Sequence, residues 1–134
     1  HFSVITTLKR SIPALKKNLK NYGLYDNCVS LSSVDIPVLE LESNLNLTEQ
    51  KIEDKIKEIL DNSDTEIFVL GCAGMADFAV KMKKKYNIPV IEGISVAVKF
   101  AESFIDLDLK TSSRNSFATP RSKKFTGIFK NFEV

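Results

Sequence analysis

The chain has 134 residues, 43% of them hydrophobic and 27% charged, with a formal net charge of +2, which is one domain's length with apolar material enough for a core. So small a charge excess singles out neither nucleic acid nor a membrane surface as partner, and no apolar run approaches the roughly twenty residues of a membrane span. Two cysteines at unrelated positions, lysine-rich stretches and no opening signal peptide read as free thiols in a reducing cytoplasm.

Taken in order, the chain opens on a hydrophobic strand, Phe2-Ser3-Val4-Ile5, with His1 before it instead of methionine. An entry this abrupt reads as part of something longer. The strand ends on the hydroxyls of Thr6 and Thr7. Ser11, with Pro13 just inside, starts a helix that Gly23 stops. Its apolar face is Ile12, Leu15, Leu19 and Tyr22, and Lys16, Lys17 and Lys20 are its wet side. Cys28 opens a second strand that runs through Val34 to Leu39 into a loop, and with neither glycine nor cation beside it this cysteine reads as a small packed residue. Thr48 is placed to cap a second helix with the buried stripe Ile52, Ile56, Ile59 and Leu60.

Ile67-Phe68-Val69-Leu70 is continuous enough for a strand buried on both faces of a parallel sheet. Behind it come Gly71-Cys72-Ala73-Gly74, with Gly71 and Gly74 allowing a tight turn and close approach of another molecule. Met75, Phe78, Ala79 and Met82 then recur at helical spacing up to Lys83, Lys84 and Lys85, whose charge suits a helix C-terminus. Ile88-Pro89-Val90-Ile91 is a fourth strand, and Glu92-Gly93 turns it into a helix bearing Val96, Val98, Phe100, Ala101 and Phe104. The repeats predict an α/β domain over residues 1–108, a parallel β-sheet flanked by helices on both faces.

From Leu109 the pattern fails. Residues 109–134 carry Lys110, Arg114, Arg121, Lys123, Lys124 and Lys130 against a single acid, Glu133, with Phe117, Phe125, Phe129 and Phe132 at no regular period. Basic-aromatic interleaving is compatible with nucleic acid. The preferred reading is an extended C-terminal tail packing its phenylalanines on a surface that this chain does not contain.

The chemistry centres on Cys72. A thiol at a helix N-terminus meets unpaired N-H groups and the positive end of the dipole, which favour the thiolate and turn an inert side chain into a base or nucleophile. The alternative is a buried cysteine acting as a small apolar residue, against which the flanking glycines argue. The amides of Ala73 and Gly74 suit a carboxylate, an enolate or a carbonyl oxygen. Glu92 divides between a site role and a first-turn acid favoured by its own helix. Thr6, Thr7, Cys72 and Glu92 all fall at strand C-terminal ends, where ligands of parallel sheets collect.

The Val69-to-Met75 loop, the Ile88-to-Gly93 turn, the Val-Ala-Val-Lys-Phe-Ala-Glu helix and Leu109-Lys110-Thr111-Ser112 together resemble the hydantoin/allantoin racemase branch of the aspartate/glutamate racemase superfamily, as do Ser3-Val4-Ile5-Thr6-Thr7 and Asp35-Ile36-Pro37-Val38-Leu39. The resemblance implies a two-domain, cofactor-independent enzyme in which each domain contributes one cysteine, one removing the proton at the stereogenic carbon and the other returning it on the opposite face. It makes Cys72 the second of the pair and gives substrate binding to Thr6, Thr7, Gly71, Ala73, Gly74 and Glu92, the last standing where the family commonly has Asp. The other cysteine would come from an upstream domain or a second subunit of a homo-oligomer, and the tail would return to the first domain. No metal is implied, and the partner is a small molecule of hydantoin or amino-acid type. Racemases of acidic amino acids, related decarboxylases or isomerases, and a non-catalytic half binding a small anion remain alternatives.

Overall fold

Four short segments build the sheet. In the computed structural model, which describes residues 1–132, these are β1 (Phe2–Thr6), β2 (Cys28–Ser33), β3 (Ile67–Leu70) and β4 (Val90–Glu92). Among the described residues they form one parallel sheet in the order β2-β1-β3-β4. Glu133 of the tail lies outside the described residues.

The helices are α1 (Ile12–Asn21), α2 (Leu45–Asn62), α3 (Ala76–Tyr86) and α4 (Gly93–Asp106). One face of the sheet, with Ile5, Phe68, Leu70 and Val90, packs with Ile52, Ile56 and Ile59 of α2 and with Phe78, Ala79 and Met82 of α3 in a single core that also takes Val34, Ile36, Leu41 and Met75. The stripes of α2 and α3 legible in the sequence are therefore among the residues that exclude water here, with Ile52, Ile56, Ile59, Phe78 and Met82 each contributing about 1.5–3 kcal/mol of transfer free energy.

Several expectations are corrected. The cap of α2 is Asn44, whose side chain accepts from the Leu47 amide at 3.1 Å. Thr48 sits one turn inside, buried, and donates its hydroxyl to the Leu41 carbonyl at 2.9 Å. Strand β2 stops at Ser33, because Asp35 adopts a left-handed φ of 52° and Val38–Glu40 wind into a 3-10 turn. Strand β3 is buried on one face only, since Ile67 and Val69 point to the side where α1 packs and are half-buried. There an open apolar groove of about 450 Å³ runs between Leu15, Leu19 and Tyr22 of the α1 side and Val4, Val69 and Ile91 of the sheet. Leu15 and Leu19 are half-buried and Tyr22 is exposed. Gly23, at φ 68°, does end α1, its amide bonding the Lys20 carbonyl while the Leu24 amide bonds that of Leu19, a closure that favours glycine.

The described chain divides into two compact units, His1–Phe100 and a second beginning at Ala101. The second contains short 3-10 turns at Asn115–Phe117 and Gly127–Phe132, with Phe117, Phe125 and Phe129 exposed. No helix among the described residues is long and apolar enough to cross a membrane.

Candidate active site

Parallel register brings the singled-out residues to one edge. Ile5 pairs with Leu70 and Leu70 with Glu92, so β1, β3 and β4 end level. With strands about 4.8 Å apart, the turn after β3 is flanked by Thr6 on one side and Glu92 on the other. The Gly71 amide donates to the Ile5 carbonyl at 2.8 Å, which fixes the exit of β3 beside the end of β1. Thr6 and Thr7 are buried, and their carbonyls accept from the Val34 and Ile36 amides at 3.0 and 3.2 Å.

Cys72 is a free, half-buried thiol packed against the core cluster. Its backbone is extended, with φ −146° and ψ 135°, and its carbonyl accepts from the Met75 amide at 3.0 Å. Where the sequence predicts a helix just behind the cysteine, the structure interposes a 3-10 turn, Ala73–Met75, and α3 begins at Ala76. The first amides of such a turn, here those of Ala73 and Gly74, have no partner inside it.

The two glycines of the turn do different things. A Cβ at Gly71 would meet Val4, Thr6 and Ile5 at 3.4–3.6 Å, which is ordinary contact. At Gly74 it would stand 2.9 Å from Cδ1 of Leu41 and 3.9 Å from the Cys72 Sγ. The steric demand for glycine therefore falls on Gly74, and it comes from Leu41, a fully buried residue.

Glu92 is a cap. Its Oε2 accepts from the Ile94 amide at 2.7 Å and its Oε1 from the Ser95 amide at 2.9 Å, so both carboxylate oxygens already serve the start of α4. Hydrogen bonding from the Ser95 side chain, with the Ser95 and Ile94 amides, holds the carboxyl below its usual range against the opposing effect of burial. Of the two roles open to this residue in the sequence, the first-turn acid is the one the geometry displays.

Cys28 lies elsewhere. It pairs with Phe2 at the opposite end of β1, about 13 Å of strand away from Thr6 at 3.3 Å per residue. Burial raises its pKa, and its thiol donates to the Ser30 carbonyl at 3.3 Å. The two thiols of this chain thus face opposite edges of one sheet and cannot flank one carbon atom.

Leu41 and Thr48 were not singled out in the sequence as neighbours of the site. The available signal was a threonine at the head of the stripe Thr48, Ile52, Ile56 and Ile59, where a polar side chain on a buried face needs a partner. Asp35, just past β2, is tied to the same corner: its carboxylate takes the Ser33 hydroxyl and the Lys9 amide and pairs with the Lys9 ammonium at 3.3 Å. Among the described residues, no three of His, Cys, Asp and Glu group as a metal site would need.

Fold and site define a parallel α/β domain that presents a free thiol on a glycine turn at the C-terminal edge of its strands. Residues 1–101 match the family model for Asp/Glu/hydantoin racemase, and the chain belongs to that family. It is 37% identical over 126 residues to a hydantoin racemase of Rhizobium meliloti, a match covering 94% of this chain and 52% of that protein. The allantoin racemase from Klebsiella pneumoniae superposes with a TM-score of 0.86 at 35% identity, over 99% of this chain and 54% of that one. The allantoin racemase from Pseudomonas fluorescens gives a TM-score of 0.78 at 36% identity, over 94% of this chain and 54% of that one. The resemblance drawn from the cysteine loop and the predicted fold class are thereby both shown. The chain spans about half the length of the curated relatives it matches.

Proposed function

We propose that this chain acts in a cofactor-independent racemase of 5-substituted hydantoins or allantoin, in which Cys72 works one face of the stereogenic carbon. The observation that carries the reading is the placement of Cys72: a half-buried thiol beside the Thr6–Thr7 corner, with the chain's other thiol at the far edge of the sheet. The named relatives support the substrate class.

In the proposed reaction the Cys72 thiolate takes the proton from the ring carbon that carries the substituent, becoming a thiol, and the electron pair moves onto the adjacent ring carbonyl oxygen. The Ala73 and Gly74 amides receive that oxygen, and Thr6 and Thr7 hold the ring. Inversion then needs a proton from the opposite face. One thiol serves one face, so a second cysteine from an upstream domain or a second subunit completes the cycle. Proton transfer alone balances the reaction, so nothing is oxidised or reduced.

The test is deuterium incorporation at that carbon for each enantiomer of a 5-substituted hydantoin in heavy water, corrected for the uncatalysed rate. The chain is expected to exchange one enantiomer with retained configuration, and Cys72→Ala to lose the exchange. Equal exchange by the two proteins would overturn the role of Cys72. A racemase of acidic amino acids would instead exchange aspartate or glutamate and leave the hydantoin untouched.

A further inference from the structure

The segment between β2 and α2 touches both sides of the candidate site. At its start the Val34 and Ile36 amides bond the carbonyls of Thr6 and Thr7. At its end Leu41, with no exposed surface, abuts the cysteine turn so closely that a Cβ at Gly74 would force one of them to shift. The turn and the threonine corner are therefore spaced by one short stretch of chain. What anchors the far end of that stretch is the Thr48 hydroxyl, 1% exposed, which donates to the Leu41 carbonyl from the second turn of α2. Helix α2 is itself held against the sheet by Ile52, Ile56 and Ile59. A rigid helix thus reaches the Cys72 turn through one hydrogen bond and one leucine.

We propose that Thr48 and Leu41 are positioning residues that set where Cys72 stands relative to the Thr6–Thr7 corner. Neither touches the reacting atoms. Their effect is mechanical: the hydroxyl fixes the Leu41 carbonyl, and the Leu41 side chain closes the space into which the Ala73–Met75 turn would otherwise relax. Replacing Thr48 by valine keeps the shape but leaves the buried Leu41 carbonyl without that donor. The cost favours arrangements in which the segment, and the turn behind it, move apart. The inference rests on Cys72 being the working thiol of the proposed reaction, but its test does not depend on turnover.

The experiment is alkylation of the full 134-residue chain by iodoacetamide between pH 6 and 10, with each cysteine followed separately by peptide mass spectrometry, for wild type, Thr48→Val and Thr48→Ser. Cys28, on the opposite edge, is the internal control. The expected result is an alkylation rate at Cys72 about five-fold higher in Thr48→Val, as loss of one buried hydrogen bond would give, with Cys28 unchanged and Thr48→Ser restoring the wild-type rate. A Cys72 rate that does not move, a proportional rise at both cysteines, or a serine variant behaving like valine would each overturn the inference. Should Thr48→Val not fold, Leu41→Met keeps volume and hydrogen bond while shifting the terminal carbon against Gly74. It too must change Cys72 selectively, and an unchanged Cys72 rate there overturns the inference. An intact Thr48 effect without deuterium exchange would count against the proposed reaction alone.

Discussion

Gly74→Ala is the perturbation whose outcome the structure specifies most closely. Neither Gly71 nor Gly74 has a left-handed φ, so alanine meets no backbone strain at either position, and the difference between them is steric. At Gly74 the new methyl stands 2.9 Å from Cδ1 of Leu41, and Leu41 is fully buried with no solvent to retreat into. Overpacking of this kind costs about 1–3 kcal/mol, offset by about 0.4–1 kcal/mol from the narrower unfolded ensemble of alanine. A net loss of about 1–2 kcal/mol lowers the melting temperature of a domain of this size by roughly 4–10 °C. Gly71→Ala, with contacts of 3.4–3.6 Å, gains the entropy without the clash and should melt at or slightly above wild type. Thermal unfolding followed by far-UV circular dichroism reads both. Adding Leu41→Val to Gly74→Ala should recover part of the loss, a non-additivity expected of touching residues. If the two alanine variants melt together, or if the double variant is simply additive, the Leu41–Gly74 contact does not explain this glycine.

Two further outcomes follow from the helix starts. Asn44→Ala removes the acceptor for the Leu47 amide and should cost about 1 kcal/mol in urea denaturation, as N-cap losses commonly do, while an unchanged midpoint would mean that water serves that amide equally well. For Glu92, folding holds the carboxyl below its ordinary value of 4.5, so in the acid range the unfolded chain binds more protons than the folded one. Its stabilising contribution is therefore complete above that value and is lost as pH falls through the lower folded pKa. Glu92→Gln, which keeps one acceptor oxygen, should be less stable than wild type at pH 7 and approach it in acid. A stability gap that is constant or widens on acidification would show that the carboxylate is not the cap.

The order strand, glycine-cysteine turn, helix was legible in the sequence because each part is a local pattern. The short apolar run of β3 asks for burial, Gly71 and Gly74 bracket a turn, and Phe78, Ala79 and Met82 repeat at the period of a helix. Once four such units are read as parallel, the edge shared by Thr6, Thr7, Cys72 and Glu92 follows from strand direction alone. Local pattern could not choose between the two roles of Glu92, because the choice depends on whether the Ile94 and Ser95 amides point at its oxygens. Nor could it say that Gly74 is required by Leu41, or that Thr48 has a buried carbonyl to bond instead of a helix end to cap. Those facts belong to contacts between segments whose separation is set by packing. Cys28 shows the same division: its own surroundings mark it as a small packed residue, and only the register of β2 on β1 puts it at the edge remote from Cys72. Periodicity thus determined which surfaces of this chain must be buried, and the tertiary structure decided which atoms meet across them, because hydrophobic burial is non-directional whereas hydrogen bonds and close contacts are directional and short-ranged.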